Sequence, residues 1–166
     1  MASAQQPKTG QQEKPRARGS GQHFAVLVID DNEADRNLTT IYLNKAWPFE
    51  RDLLLDYAAD GVEALEKLRL RRFALVVLDW KLPLMDGGEV LRNFRQLGVR
   101  TPVVVVSGLQ REDIDANLEA LGAAFLGKDE MNADTFRARI AESLRLLGFV
   151  RPPANDASAR PGPAAG

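Results

Sequence analysis

The sequence predicts a doubly wound α/β fold: one five-stranded parallel sheet with helices on both faces, a three-layer α/β/α arrangement. Two observations carry this expectation. Short continuous apolar runs rich in β-branched residues alternate with segments in which apolar residues recur every three or four positions. The alternation is strict, a strand and a helix repeated five times, and strict alternation requires parallel strands joined by right-handed crossovers.

The strongest strand runs are Phe24-Ala25-Val26-Leu27-Val28-Ile29, Ala74-Leu75-Val76-Val77-Leu78 and Val103-Val104-Val105-Val106. Leu53-Leu54-Leu55 and Ala124-Phe125-Leu126 are shorter candidates for the other two. Helical spacing appears in Leu38, Ile41 and Ala46, then in Val62, Leu65 and Leu68 after the capping-box-like Asp60-Gly61-Val62-Glu63. It appears again in Val90, Leu91, Phe94 and Leu97 before Gly98, in Ile114, Leu118 and Leu121 before Gly122, and in Phe136, Ile140, Leu144 and Leu147 before Gly148. A glycine just past the last apolar position is a common helix stop.

Composition narrows the function. The 166 residues include no cysteine and one histidine, His23. Disulfides, thiolate catalysis, histidine triads and multi-histidine zinc sites are thereby excluded. No apolar run is long enough to span a bilayer and no secretory signal is visible, which fits a cytoplasmic location. The net charge of −1 argues against a basic nucleic-acid-binding surface. Residues 1–22 hold Lys8, Lys14, Arg16 and Arg18 against Glu13, with no Val, Ile, Leu or aromatic residue, and are expected to form a disordered basic tail. Residues 148–166, with Pro152, Pro153, Pro161 and Pro163, are expected to form a second disordered tail, rich in Pro, Ala and Gly. The folded domain is placed at 23–147.

In parallel α/β sheets, ligands bind beyond the carboxyl ends of the strands. Asp30 and Asp31 follow the first run, Asp79 the third, Ser107 the fourth, and Lys128 stands after Gly127 beyond the fifth. Clustered carboxylates repel unless a cation offsets them, and an all-oxygen cluster suits Mg²⁺. A hydroxyl and an ammonium beside them complete a site for a tetrahedral dianion, the equipment of phosphoryl transfer. Each residue also has an ordinary reading. The two aspartates could cap the first helix, Asp79 and Ser107 could serve turns or caps, Lys128 could be a solvated lysine, and Phe125 could be core.

With Val28-Ile29-Asp30-Asp31-Asn32, Leu78-Asp79-Trp80-Lys81-Leu82-Pro83-Leu84-Met85-Asp86-Gly87, Val106-Ser107-Gly108 and Phe125-Leu126-Gly127-Lys128, the sequence resembles the receiver domain of two-component response regulators, of the stand-alone, CheY-like type with a flavodoxin-like fold. The resemblance spans essentially residues 23–147. It implies that Asp79 is the phosphoacceptor. It also implies that Asp30, Asp31, Asp79 and the backbone carbonyl of Lys81 hold Mg²⁺, and that Ser107 and Lys128 bind the phosphoryl group. Ser107 and Phe125 would then form a switch. A flavin carrier fits poorly, because the acidic pair would repel a flavin phosphate. An aspartate phosphatase fits poorly because Lys81 stands where a second aspartate is needed.

The expected function is that of a single-domain response regulator in a phosphorelay. It would take its phosphoryl group from a sensor histidine kinase or a histidine phosphotransfer protein and signal to a downstream protein target. It would not be an enzyme beyond self-phosphorylation from small donors and slow dephosphorylation, and would bind neither DNA nor membrane. The alternative is a degenerate receiver that binds partners without phosphate. Asp129 stands where the family usually has a proline, beside Lys128, and is expected to compete for its ammonium. Lys81 is expected over the phosphoryl group, and Leu109 offers no polar group to hold a hydrolytic water.

Overall fold

The structure, a computed structural model, describes residues 23–49 and 52–149. The expected tail 1–22 lies outside the described residues, as does the expected C-terminal tail from residue 150 onward. The strands are β1 (Phe24–Ile29), β2 (Leu53–Ala58), β3 (Leu75–Asp79), β4 (Val103–Ser107) and β5 (Ala123–Gly127). The helices are α1 (Glu33–Ala46), α2 (Gly61–Leu70), α3 (Gly87–Gln96) and α4 (Ala133–Leu146). The strands form one parallel sheet in the order β2-β1-β3-β4-β5, so the predicted doubly wound sheet is present.

The central strands β3 and β4 are buried on both faces, which is why their sequences read as unbroken apolar runs. One face carries Leu27, Ile29, Val76, Leu78, Val103 and Val105 against α2 and α3. The other carries Val26, Val28, Val77, Val104 and Leu126 against α1 and α4. Along α1 the buried stripe is Thr39, Leu43 and Ala46. Leu38 and Ile41, expected to mark its core face, are instead exposed. They flank the stripe that the i, i+4, i+7 spacing of the buried set defines. At α2 the Asp60 side chain accepts from the Glu63 N–H, and the Glu63 carboxylate reaches back to the Ala59 N–H, a capping box displaced by one residue.

The helix expected between β4 and β5 does not form. Ile114 and Leu118 are buried as expected, but the segment that carries them holds only a single 3-10 turn, Arg111–Asp113, followed by tight turns. Ala116 N–H donates to the Ile114 carbonyl and Leu118 N–H to the Ala116 carbonyl, both spanning two residues rather than four. Two features oppose a helix. Asp113, Asp115 and Asn117 are poor helix formers whose side chains compete for backbone groups, and the Asn117 side chain accepts from the Ala120 N–H. The Arg111 guanidinium donates to the carbonyls of Ile114 and Ala116, supplying donors that helix propagation would otherwise provide. Apolar residues at helical spacing, here Ile114 and Leu118, can therefore be buried without a helix.

Gly122 ends this segment as the sequence suggested, but what it ends is a turn. Its φ is 63°, and a Cβ placed there would lie 2.3 Å from Leu147 Cδ2. Gly98, after α3, has φ 72° with open space around it. Alanine at either position carries the left-handed penalty of about 1–2 kcal/mol. At Gly122 the overpacking adds about 1–3 kcal/mol. Urea unfolding is expected to show Gly122→Ala as clearly the more destabilising of the two.

Candidate functional site

β1 and β3 are neighbours although β2 lies between them in sequence, so the strand order reverses there and opens a crevice beyond their carboxyl ends. The register pairs Ile29 with Leu78, which sets Asp30 and Asp79, the next residues, side by side. Asp79 pairs with Val106, which brings Ser107 to the same edge. Ser107 pairs with Gly127, which delivers Lys128. All five residues singled out in the sequence are thereby gathered.

Helix capping falls to other residues, although Asp30, Asp79 and Ser107 each accept the backbone N–H two residues on. Asn32, not Asp30 or Asp31, caps α1, accepting from the N–H groups of Ala34 and Asp35. Asp86, not Asp79, caps α3, accepting from the Glu89 N–H. The carboxylates of Asp30, Asp31 and Asp79 are left facing one another, each with an oxygen within 4.8 Å of the others. Asp30 and Asp79 are buried and Asp31 is exposed. The three carboxylates and the single Lys128 ammonium leave a net charge of −2, and the donor set is all oxygen, so these residues fit a hard divalent cation. Lys81 donates its N–H to Asp79 Oδ1 at 3.4 Å, and its side chain is exposed.

Lys128 Nζ lies 3.2 Å from Asp30 Oδ2, 3.5 Å from Asp79 Oδ2 and 2.6 Å from Asp35 Oδ2. Burial works against its charge, but the hydrogen bond to Asp35 and the charges of Asp79 and Asp30 outweigh that and hold the ammonium above the ordinary lysine range. Asp35, in the first turn of α1, was not foreseen. Nor was Arg36, whose guanidinium donates to the Asp30 carbonyl at 2.7 Å. The signal available was position: both stand one helical turn beyond the Asp-Asp pair, on the helix that leaves the crevice. The expected competitor, Asp129, forms no ion pair with Lys128, whose partners among the described residues are Asp30, Asp35 and Asp79. Its carboxylate folds back over Gly127, where an added Cβ would lie 2.6 Å from Oδ1.

Ser107 is fully buried, and its Oγ accepts from the Leu109 N–H at 3.1 Å, which leaves the hydroxyl proton free to donate. Phe125 is half-buried on the same sheet face as Val105 and borders a groove of about 360 Å³. Leu109, Arg111, Leu118 and Arg139 also line this groove, beside the segment where a helix was expected. Trp80 precedes the turn to α3, in which Leu84 has φ 67°, a left-handed conformation that costs a non-glycine residue about 1–2 kcal/mol.

Burial, partly opposed by Lys128 and reinforced by the Asp30 charge, pushes the Asp79 carboxyl from 3.8 up to about 6. A raised folded-state value means that the folded chain holds this proton more tightly than the unfolded chain. The resulting stability is fully present below the unfolded value and is lost as pH rises through about 6. At pH 7.5, without added metal, Asp79→Asn is therefore expected to raise stability by roughly 3 kcal/mol at most, and the gain should shrink as pH falls toward 4. Denaturant titrations of both proteins across this range check it.

Comparison with known proteins agrees with this arrangement. The family model of the response regulator receiver domain matches residues 26–141. A protein-glutamate methylesterase/protein-glutamine glutaminase of Myxococcus xanthus is 33% identical over 133 residues, 76% of this chain and 36% of that protein. The chain thus spans about a third of that relative's length. A two-component response regulator of Oryza sativa subsp. japonica is 35% identical over 107 residues, 62% of this chain and 81% of that protein. Among solved structures, the chemotaxis response regulator CheY4 of Vibrio cholerae is similar with a TM-score of 0.58 and 26% identity, covering 76% of this chain and 99% of that one. A CheY-like receiver domain protein from Methanospirillum hungatei aligns with a TM-score of 0.62 and 25% identity, covering 76% and 97%. Among the described residues, no helix is long and apolar enough to cross a membrane.

Proposed function

Because the chain belongs to the response regulator receiver domain family, we propose that Asp79 accepts a phosphoryl group from a sensor histidine kinase or a histidine phosphotransfer protein, and that the phosphorylated chain signals by protein contact. The observation that carries this is the buried Asp79 at the strand-order reversal, with two further carboxylates, a buried hydroxyl and a lysine around it. An Asp79 carboxylate oxygen attacks phosphorus. The bond from phosphorus to the donor's nitrogen or oxygen breaks, and its electron pair leaves with the donor. Lys128 donates to the transferred group, and the free proton of Ser107 suits a phosphoryl oxygen.

Mg²⁺ would be held by Asp30, Asp31, Asp79 and the Lys81 backbone carbonyl, and when bound it supplies the charge neutralisation that lets an anionic carboxylate meet an anionic phosphoryl group. The chain's own catalysis is confined to gain and slow loss of this group. With acetyl phosphate and Mg²⁺, intact mass is expected to increase by one phosphoryl group in the wild type. Asp79→Asn and an EDTA-treated wild type are expected not to change. Equal labelling of Asp79→Asn would remove Asp79 from this role.

Phosphorylation is read out on the face of β5 that bears Phe125. A phosphoryl oxygen draws the Ser107 hydroxyl toward it, and the half-buried Phe125 ring turns inward from the groove. Phosphate acts only by its differential affinity for two existing states. A shift from 1:99 to 99:1 needs about 5.5 kcal/mol. A few charge-assisted hydrogen bonds of about 1.5–3 kcal/mol each are of that size. On adding beryllofluoride and Mg²⁺, the amide resonances of Leu118, Ala124 and Phe125 are expected to move together. Shifts confined to the neighbours of Asp79 would leave a phosphoryl carrier without this switch.

A further inference from the structure

The Lys128 ammonium donates hydrogen bonds to Asp30 and Asp35 and lies in an ion pair with Asp79 at 3.5 Å. The shortest contact, 2.6 Å, is to Asp35, which lies outside the acidic cluster formed by Asp30, Asp31 and Asp79. A cation in that cluster draws on the oxygens of Asp30 and Asp79 and loosens their hold on Lys128. It has no such claim on Asp35. The Asp35 contact is therefore the one that persists when the site is loaded, and it contends with an incoming phosphoryl oxygen for the same ammonium. Asp35 sits on the rigid first turn of α1, where its own N–H is tied to the Asn32 side chain, so its carboxylate works from a fixed base.

Resting on the phosphoacceptor reading above, we infer that Asp35 is a positioning residue that holds Lys128 toward α1 and thereby lowers the affinity of the site for the phosphoryl group. The Asp35 carboxylate lies outside the Asp30–Asp31–Asp79 cluster and acts through Lys128. Its side chain is 37% exposed, so the pair is partly screened by water. The expected effect is accordingly that of a solvent-accessible ion pair, about fivefold in affinity. Loss of any nearby carboxylate also favours an anion through the general field. Asp129 supplies the control, being adjacent to Lys128 in sequence while its carboxylate lies over Gly127 and is not among the ion-pair partners of Lys128.

The experiment is a beryllofluoride titration at fixed Mg²⁺, followed by Trp80 fluorescence, on the full chain. Asp35→Asn is expected to bind about fivefold more tightly than wild type, an exposed ion pair's worth. Asp129→Asn is expected to change by less than about twofold, as a screened surface charge should. Asp35→Glu, which keeps the carboxylate, is expected to return binding to the wild-type range, a rescue that a merely structural role for Asp35 would not produce. Equal tightening in Asp35→Asn and Asp129→Asn, or weaker binding in Asp35→Asn, would overturn the inference. Failure of the phosphoacceptor reading looks different: wild type and Asp79→Asn would then respond identically, whatever stands at position 35.

Discussion

The structure turns on gathering like charges where the apolar sheet ends. A parallel sheet sends every strand out of the same edge, and the reversal of strand order between β1 and β3 leaves a gap there that no crossover covers. Asp30 and Asp79 enter that gap as the first polar residues after buried strands, and are themselves buried. Burial is the main reason the Asp79 carboxyl stands above its ordinary value, and the neighbouring Asp30 charge adds to it, with Asp31 alongside in the same cluster. Lys128, brought from the far strand, offsets part of the charge and leaves the remainder available to a cation. The apolar packing around β3 and β4 keeps this arrangement from relaxing into solvent.

The two sides of the sheet are built differently. α1 and α4 cover one face as paired helices, with Phe136 and Ile140 fully buried against β4 and β5. The other face has α2 and α3, and then an irregular segment from Arg111 to Leu121 that buries Ile114 and Leu118 through turns. In a regular helix the carbonyls of that segment would be saturated by its own amides. Here the Arg111 guanidinium donates to the carbonyls of Ile114 and Ala116, while the Asn117 side chain accepts from the Ala120 N–H. The groove bordered by Phe125 and Arg139 is the consequence. The acidic edge and this groove are joined by the hydrogen bond from the Leu109 N–H to Ser107 Oγ and by β5, so a change at one has a short route to the other.

Much of this was legible in the residues. Strands buried on both faces announce themselves as unbroken β-branched runs, and a polar residue directly after such a run must stand at the sheet edge. That is why Asp30, Asp31, Asp79, Ser107 and Lys128 could be named without coordinates. Their neighbours in space were harder. Asp35 and Arg36 belong to a helix whose rotation about its axis decides which side chains face the crevice, and rotation depends on what the helix packs against. The exposed Leu38 and Ile41 show the same limit, since the buried stripe of α1 runs through Thr39, Leu43 and Ala46.

By itself, the sequence determined the layer architecture, the strand ends and the chemistry assembled there, because these follow from the period of apolar residues and from the chirality of parallel crossovers. Only the tertiary structure decided the state of the chain between β4 and β5. Three apolar residues at helical spacing favour a helix only weakly, and the Arg111 and Asn117 side chains were enough to satisfy the backbone another way. It likewise decided which carboxylate holds Lys128. Asp129 is adjacent in sequence, but the backbone turns its side chain back over Gly127. Asp35 lies 93 residues away, and the packing of α1 against β1 and α4 brings it to 2.6 Å. Ion pairing follows distance in space, and proximity along the chain is a poor guide to it wherever a 3-10 turn redirects the side chain.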